Sequence, residues 1–359
     1  MVNVDISELF REKDFLKICA PMVRYSKLPF RVLARRYGCD LCYTPMIMAD
    51  SFVQSAKARS NEFTTCTDDE PLIVQFAAHT VADFVNAAEI VSPLCDGVDL
   101  NCGCPQRWAM KEGYGAHLLT KPELIRDMVL QVRNRVSERF AVSVKIRLLD
   151  EDRKTIELAR SLEAAGVTFL TLHARTTQER HSPIHEDSLR EVCQSLHVPL
   201  VANGDVKSLQ GATRLYMETG CKGMMAARGM LENPAMFLGN SSTPLACIQD
   251  WVNISLDLGA IFNCFHHHLV FMMEHILPKD GRRVFNCLKT KTDVLDFLRE
   301  NYNITYIPGE SGLSAESDVI TCNESSDREN NSTGSFFTSS IQKYEVQDDV
   351  LDSLGGLYD

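Results

Sequence analysis

The sequence predicts an α/β fold: a closed (β/α)8 barrel of the TIM type, then a small all-helical domain and a disordered acidic tail. Two observations predict the barrel. Eight short apolar or β-branched runs recur along the first two-thirds of the chain, and the stretches between them have the spacing of amphipathic helices. Strands that alternate with helices indicate a parallel sheet, and eight repeats in roughly 225 residues suit a closed barrel. An open doubly wound sheet is the alternative.

The eight runs are the predicted strands. They occupy residues 16–22, 40–46, 71–77, 97–103, 142–148, 168–174, 198–204 and 222–228. Active sites of (β/α)8 barrels lie at the C-terminal ends of the strands. Nearly every run here ends on a polar or reactive side chain, which a purely structural barrel does not need. These candidates are Met22, Thr44, Gln75, Asn101, Cys104, Lys145, His173, Asn203 and Arg228.

The strand–helix alternation stops at about residue 244. Residues 1–14 precede the first strand as an N-terminal extension, and residues 15–244 form the predicted barrel. Residues 245–302 carry apolar side chains at three-to-four spacing without further strands, which predicts a helical domain. Residues 303–359 are rich in Ser, Asn, Asp and Glu, a composition typical of disorder.

The net charge of −11 is concentrated in the acidic tail. From residue 303 onward there are eleven acidic and two basic residues, a net −9, which leaves −2 on the rest of the chain. A near-neutral body can still present a local basic face to a nucleic acid. The basic stretch of the helical domain, which includes Arg282 and Arg283, is the candidate for phosphate contacts, and a solvated helix face is the alternative. With 45% hydrophobic and 24% charged residues, the composition excludes wholesale disorder and a disulfide scaffold.

Cysteine usage and the chain start suggest a compartment. There are thirteen cysteines, an odd number, and the N-terminus has charges but lacks the apolar stretch of a signal peptide. We therefore expect reduced thiols and a cytoplasmic location, with the nucleus as an alternative. Residues 258–273 lack Asp, Glu, Lys and Arg, but they are shorter than the roughly 20 residues of a membrane helix. A buried helix and no membrane contact are expected.

No metal site is predicted. The consecutive histidines from His266 to His268 point about 100° apart on a helix, so they cannot converge on one ion. The cysteine pair at positions 39 and 42 lies far from the pair at 102 and 104, and no structural-zinc spacing appears.

Two loops near the end of the predicted barrel suggest a phosphate site. Asn203-Gly204-Asp205 follows the seventh strand, and Ala227-Arg228-Gly229 follows the eighth. In (β/α)8 barrels these two loops commonly bind phosphate through backbone N–H groups, and an arginine can add a bidentate contact. Each motif alone would be an ordinary turn, but both together in these positions favour phosphate binding.

Four further side chains at strand ends suggest chemistry. Cys104 lies just past a strand end, where a thiol can act as nucleophile or acid. Lys145 lies inside an apolar run, where an anionic ligand would be its partner; a lysine that reaches the rim is the alternative. His173 is equally explained as a core histidine. The amide of Gln75 suits the edge of a flat heterocycle.

These motifs together resemble a known family. APM at 20–22, LPFR at 28–31, VQFAA at 74–78, DLNCGCPQ at 99–106, KIR at 145–147, HAR at 173–175, ANGD at 202–205 and ARG at 227–229 are similar to those of the tRNA-dihydrouridine synthases. Order and spacing fit from about residue 15 to 300. MVRYSKLPFR at 22–31 and CPQRWAMKEGYGA at 104–116 resemble the eukaryotic type-4 branch.

The resemblance implies an FMN-binding barrel with a helical tRNA-binding domain. The implied reaction is NADPH-driven reduction of D-loop uridines at positions 20a and 20b, with hydride from FMN to C6 and a proton from Cys104 to C5. Lys145 would stabilise the reduced flavin. The residues implied for FMN are Pro21, Met22, Val23, Gln75, Lys145, His173, Asn203, Gly204, Asp205, Ala227 and Arg228. Those expected to contact tRNA are Asn101, Arg107, Arg175, Arg180, Arg282 and Arg283. A monomer is expected.

Two other functions remain open. A flavin-dependent small-molecule ene-reductase or dihydroorotate-type dehydrogenase would share the phosphate site but would not need a helical RNA-binding domain. A tRNA-binding protein without catalysis would need neither Cys104, Lys145 nor His173.

Overall fold

The computed structural model describes residues 4–313 and 319–322 of the chain. In this part the strands all belong to one parallel sheet. They are β1 (Leu16–Cys19), β2 (Leu41–Tyr43), β3 (Ile47–Met48), β4 (Leu72–Ala77), β5 (Gly97–Asn101), β6 (Ala141–Arg147), β7 (Phe169–His173), β8 (Leu200–Asn203) and β9 (Gly223–Ala226).

The sheet closes into a barrel. Strand β9 pairs with β1, and β2 pairs with both β1 and β4, so β3 is a short addition beside β4. The other eight strands coincide with the eight predicted runs, and the predicted (β/α)8 barrel is confirmed in place of the open sheet.

Helices fill the connections between the strands. They are α1 (Ile6–Glu12), α2 (Leu28–Arg36), α3 (Ala49–Gln54), α4 (Ala56–Glu62), α5 (Val81–Val91), α6 (Arg107–Lys111), α7 (Pro122–Arg133), α8 (Asp152–Ala164), α9 (Glu186–Gln194), α10 (Leu209–Thr219) and α11 (Arg228–Glu232). Local sequence explains where several helices begin. Pro122 is the first residue of α7, and the hydroxyls of Thr80 and Ser208 cap the N-termini of α5 and α10. Short 3-10 turns cover Gly115–Thr120 and Met236–Leu238.

Four helices follow the barrel: α12 (Leu245–Asp257), α13 (Phe262–Met272), α14 (Lys279–Asn286) and α15 (Lys291–Tyr302). They pack on the barrel through α2, where Phe30 stacks on His268 and meets the buried Trp251 edge-on. No helix among residues 4–313 and 319–322 is both long and apolar enough to cross a membrane.

The three consecutive histidines on α13 face different partners. His266 Nε2 is 2.9 Å from the Phe285 carbonyl oxygen, and His268 Nε2 is 3.1 Å from the Tyr25 carbonyl oxygen. His267 Nδ1 is 3.1 Å from the Tyr25 hydroxyl. Each ring therefore contacts a different atom. His267 and His268 contact Tyr25 in the loop after β1, and His266 contacts α14.

The segment after α15 differs from the disorder expected from residue 303 onward. Gln249, Asn253 and Asp257 lie four residues apart on one face of α12. Their side chains bond the backbone at Thr305 and the backbone N–H groups of residues 307, 309 and 311. Further on, Ile320 pairs with Thr65 in an antiparallel bridge. Residues 303–313 therefore pack against α12, while the expected disorder at 314–318 and 323–359 lies outside the described residues.

Candidate active site

The loop after β5 holds Cys104 at the C-terminal rim of the barrel, and it is fixed from three directions. The N–H groups of Gly103 and Cys104 donate to Asn101 Oδ1 at 3.3 and 3.0 Å. Arg147 Nε donates to the Gly103 carbonyl at 2.7 Å, and the N–H of Ala116 donates to the Cys104 carbonyl at 2.9 Å. The loop therefore has little freedom.

A glycine is required beside this loop. Gly115 has φ +61°, and a Cβ there would lie 2.6 Å from the Cys104 carbonyl oxygen. A larger residue would be strained in the left-handed region and would push the loop away.

The Cys104 thiol is suited to donate a proton. The side chain is half-buried against an apolar group formed by Met46, Met48, Ala109 and Tyr114. Burial raises the pKa of the thiol above its ordinary value, although the N–H of Gln106 and nearby cations oppose that shift. The raised pKa keeps the thiol protonated at neutral pH, as a general acid requires.

A row of polar side chains lies inside the barrel below Cys104. Gln75, Asp99 and Ser143 are register partners on β4, β5 and β6. Gln75 Nε2 donates to Asp99 Oδ2 at 2.8 Å, and Ser143 Oγ donates to Asp99 Oδ1 at 2.6 Å. Asn101 Nδ2 donates to Gln75 Oε1 at 2.9 Å. Burial raises the pKa of the Asp99 carboxyl to about 6.

Lys145 lies one layer nearer the rim, in register with Asn101 on β5. Its Nζ donates to Asn203 Oδ1 at 2.8 Å, and Asn203 Nδ2 donates to the Met225 carbonyl at 3.0 Å. The lysine is therefore a buried cation hydrogen-bonded to a neutral amide at the centre of the barrel.

His173 is the last residue of β7, and Arg175 follows it and reaches Asp205 just after β8. His173 Nε2 is 3.3 Å from Arg175 Nη1, while the buried Nδ1 has no hydrogen-bond partner within the described part of the chain. Burial holds the pKa of His173 well below its ordinary value, and the nearby cations lower it further, so the ring is neutral. Arg175 donates to the Ser182 carbonyl and to Asp205 Oδ2.

A small, partly open cleft lies where β7, β8 and β9 end. Close packing requires two glycines beside it: a Cβ on Gly204, which has φ +119°, would lie 2.6 Å from Ile184, and one on Gly229 would lie 2.5 Å from the Val206 carbonyl oxygen. Its lining includes Arg175, Lys207 and Arg228 with the single acid Asp205. This excess of positive charge suits an anion such as phosphate.

The structure brings most of the predicted site residues together. The loop after β1, with Pro21, Met22 and Val23, adjoins the end of β9 and therefore the Ala227–Arg228 turn, because the N–H of Ala20 donates to the Ala226 carbonyl at 3.0 Å.

The residues predicted to contact tRNA fall into two groups. Arg107, the first residue of α6, and Arg180, in the loop after β7, are exposed. Arg282 and Arg283 lie apart from them on α14. Asn101 and Arg175, by contrast, are buried and hydrogen-bonded within the site. Burial places these two behind the rim surface, where they support their neighbours.

Sequence reasoning missed Lys207, which lines the cleft, and three residues inside the barrel: Asp99, Ser143 and Arg147. All three are fully buried at the same layers as the predicted residues. A charged side chain inside an apolar run, the signal that identified Lys145, would also have identified Asp99 and Arg147.

Most of the chain is similar in sequence to proteins of one known family. Residues 18–301 match the family described as Dihydrouridine synthase (Dus). A Mus musculus protein named tRNA-dihydrouridine(20a/20b) synthase-like is 55% identical over 299 residues, 83% of this chain and 92% of the mouse protein. The Homo sapiens protein of the same name is 53% identical over 301 residues, which cover 84% of this chain and 95% of the human protein. An old yellow enzyme structure from Trypanosoma cruzi has a TM-score of 0.47 at 11% identity, over 60% of this chain and 85% of that one.

Proposed function

This chain belongs to the dihydrouridine synthase family, and from that premise we propose that it reduces the C5=C6 bond of D-loop uridines in tRNA, at positions 20a and 20b. The mouse and human relatives carry both positions in their names. The observation that carries the proposal is the half-buried Cys104 thiol, held on a fixed loop at the same rim as a positively charged cleft.

The site fits a flavin, and we assign FMN as its cofactor. The cleft with Arg175, Lys207 and Arg228 suits the phosphate, and the buried Nδ1 of His173 is a polar atom that a bound ligand could satisfy. When bound, FMN supplies the hydride after reduction by NADPH; the relatives' names specify NAD(P)+. The residues assigned to hold it are Pro21, Met22, Val23, Gln75, Lys145, His173, Asn203, Gly204, Asp205, Ala227 and Arg228.

The chain itself supplies the proton and the electrostatic setting. Cys104 Sγ holds a proton at neutral pH and delivers it to C5 of the uracil, while Asn101 and Arg147 keep its loop in place. The Lys145 ammonium stabilises negative charge that develops on bound rings. The apolar side chains around Cys104 exclude water from the proton transfer.

A uracil inside folded tRNA must leave its stack, which costs a few kcal/mol. We assign phosphate contacts that offset this cost to Arg107 and Arg180 at the rim and to Arg282 and Arg283 on α14. The R282E/R283E double variant should bind tRNA more weakly, with a salt slope smaller by about one per lost contact. An R153E/R160E variant on the outer helix α8 is the control, and equal affinity of both variants would refute the role of α14.

The function is tested by site-resolved mapping of dihydrouridine. Purified holoenzyme is incubated with D-free tRNA and with NADPH or NADH, and in parallel with free uridine, orotate and a simple enone. Dihydrouridine at 20a and 20b in tRNA alone is the expected result. Turnover of the small molecules without tRNA would favour the ene-reductase or dihydroorotate-type dehydrogenase. A chain that binds tRNA but turns over nothing and retains no flavin would favour the non-catalytic binding protein.

A further inference from the structure

We propose that Asp99 is a positioning residue that sets the direction of a hydrogen-bond relay ending at the backbone of Cys104. The relay runs from Asp99 through the amides of Gln75 and Asn101 to the N–H groups of Gly103 and Cys104. The inference rests on the proposed function in one respect, namely that Cys104 is the proton donor.

The geometry forms a continuous path across two strands. Asp99 accepts from Gln75 Nε2 at 2.8 Å, and Gln75 Oε1 accepts from Asn101 Nδ2 at 2.9 Å. Asn101 Oδ1 then accepts from the N–H of Cys104 at 3.0 Å. Asp99, Gln75 and Asn101 are buried, so water is excluded as a ready substitute partner.

The chemistry of the groups gives this path one direction. An ionised carboxylate can only accept, so Gln75 must turn its NH2 group toward Asp99 and its oxygen toward Asn101. Asn101 must then direct its NH2 group to Gln75 and keep its oxygen for the loop. The opposite orientation of Asn101 would set its NH2 group against the N–H donors of Gly103 and Cys104 and release the loop.

Folding alone does not explain an acid at this position. Burial disfavours the ionised form of Asp99, whose pKa is raised to about 6, so the charge itself lowers the stability of the barrel at neutral pH. A neutral isostere would therefore fold at least as well. The benefit of the carboxylate lies in its inability to donate a hydrogen bond.

The relay predicts a pH dependence near the pKa of Asp99. The groups that face its carboxyl are Gln75, Ser143, Lys145, Tyr43 and Cys102. As pH falls through about 6, Asp99 gains a proton and can donate to Gln75, so both orientations of the two amides become available. The turnover number of the wild type should fall there, and the D99N variant should lack that inflection.

A reciprocal exchange of the two side chains is the decisive test. In D99N the new amide can turn either way, because Ser143 can also accept, so turnover should fall several-fold. In Q75E two carboxylates face each other, and the loss should be larger. In the D99N/Q75E double variant the amide now at position 99 donates to the carboxylate now at position 75, and that carboxylate can only accept from Asn101. The native direction is thereby restored, and turnover should recover several-fold over Q75E.

Three readouts separate positioning from folding and from the proposed function. The rate of Cys104 alkylation by iodoacetamide, measured on its peptide in the holoenzyme without tRNA, should rise in D99N and Q75E and return toward wild type in the double variant. This readout needs no synthase activity. Thermal melting of D99N should match or exceed wild type, and KM for tRNA should stay constant while kcat falls.

The matched control is D96N, which makes the same change at a buried acid that directly precedes the same strand. It should leave the Cys104 alkylation rate and its pH profile unchanged. The proposal is overturned if D99N alkylates and turns over like wild type, or if the double variant is no better than Q75E.

Discussion

The two ends of the barrel strands use buried charge in different ways. At the N-terminal ends, which we call the floor, carboxylates bind backbone N–H groups. Asp96 accepts from Val4 and Leu72 at 2.6 and 2.7 Å, and Asp40 accepts from Lys17 at 2.8 Å. Asp96 and Asp40 are thus bonded to atoms of the main chain, whereas Asp69, just before β4, pairs with the side chains of Arg31 and Arg35.

At the C-terminal ends, the rim, two charged side chains bind other side chains, whereas Arg147 binds main-chain carbonyls. Asp99 binds Gln75 and Ser143, and Lys145 binds Asn203. A main-chain N–H cannot leave its place without unfolding, whereas side-chain partners can rearrange around a ligand. Asp96 and Asp40 therefore hold the main chain in place, whereas Asp99 and Lys145 have partners that can adjust to a ligand.

The largest expected effect is at Cys104. Cys104→Ala removes the proposed acid, so dihydrouridine formation should fall by about 10²–10⁴-fold while the melting temperature stays near wild type. Cys287→Ala, at an exposed cysteine on the C-terminal helices, is the control and should be fully active. A Cys104→Ala enzyme that retained more than a tenth of the activity would remove Cys104 from the mechanism.

Substitutions at the floor should lower the free energy of unfolding rather than the activity. Asp96→Ala leaves two backbone N–H groups without their acceptor, which should cost about 2–6 kcal/mol at about 1–3 kcal/mol for each group. Denaturant unfolding measures this loss, and activity per folded molecule should be unchanged. Asp127→Ala on the exposed face of α7 is the control; a large activity loss in Asp96→Ala would contradict the distinction between floor and rim.

Two lysines, one at the rim and one at the floor, test whether only the rim contributes to cofactor binding. Lys145→Met removes a buried cation at the proposed flavin site, so FMN affinity should fall about 10–100-fold, the equivalent of about 1.5–3 kcal/mol for a charged hydrogen bond. Lys222→Met, next to the floor end of β9, should leave FMN affinity unchanged. Flavin release measured by fluorescence compares the two, and equal losses would refute the assignment.

The smallest effect is a pH dependence at the floor. Partial burial opposes ionisation of Glu163, but the N–H groups of Val198 and His197 outweigh it and hold the pKa of the carboxyl below its usual range. The resulting stability is present above the unfolded pKa and is lost as pH falls. Glu163→Gln should therefore cost about 0.5–1 kcal/mol at pH 7 and progressively less in acid. Melting curves from pH 7 to 3 that stay parallel would contradict this.

The barrel was predictable because its signals are local. Each of the eight main strands lies inside an apolar run, and the rim residues follow directly from where those runs end. The family was predictable for the same reason, since its motifs are short segments at strand ends. Cys104 and Lys145 could be identified because reactive or charged side chains are unusual in such runs.

Other features depended on pairing between distant segments. Arg175 reads as a surface cation in the sequence, but the register of β7 with β8 brings it to Asp205 and buries it. The start of the acidic tail reads as disordered, yet three polar side chains of α12 satisfy its backbone. Neither partner is near in sequence, so no local pattern predicts the contact.

By itself, the sequence determined the order of strands and helices and the loops that carry the chemistry, because these depend on interactions within a few residues. Only the tertiary structure decided which buried polar groups face each other. The relay from Asp99 to Cys104 exists because the register of β4 with β5 sets Gln75 beside Asp99. Hydrogen bonds demand positions within a few tenths of an ångström, and strand register, a property of the whole sheet, sets those positions.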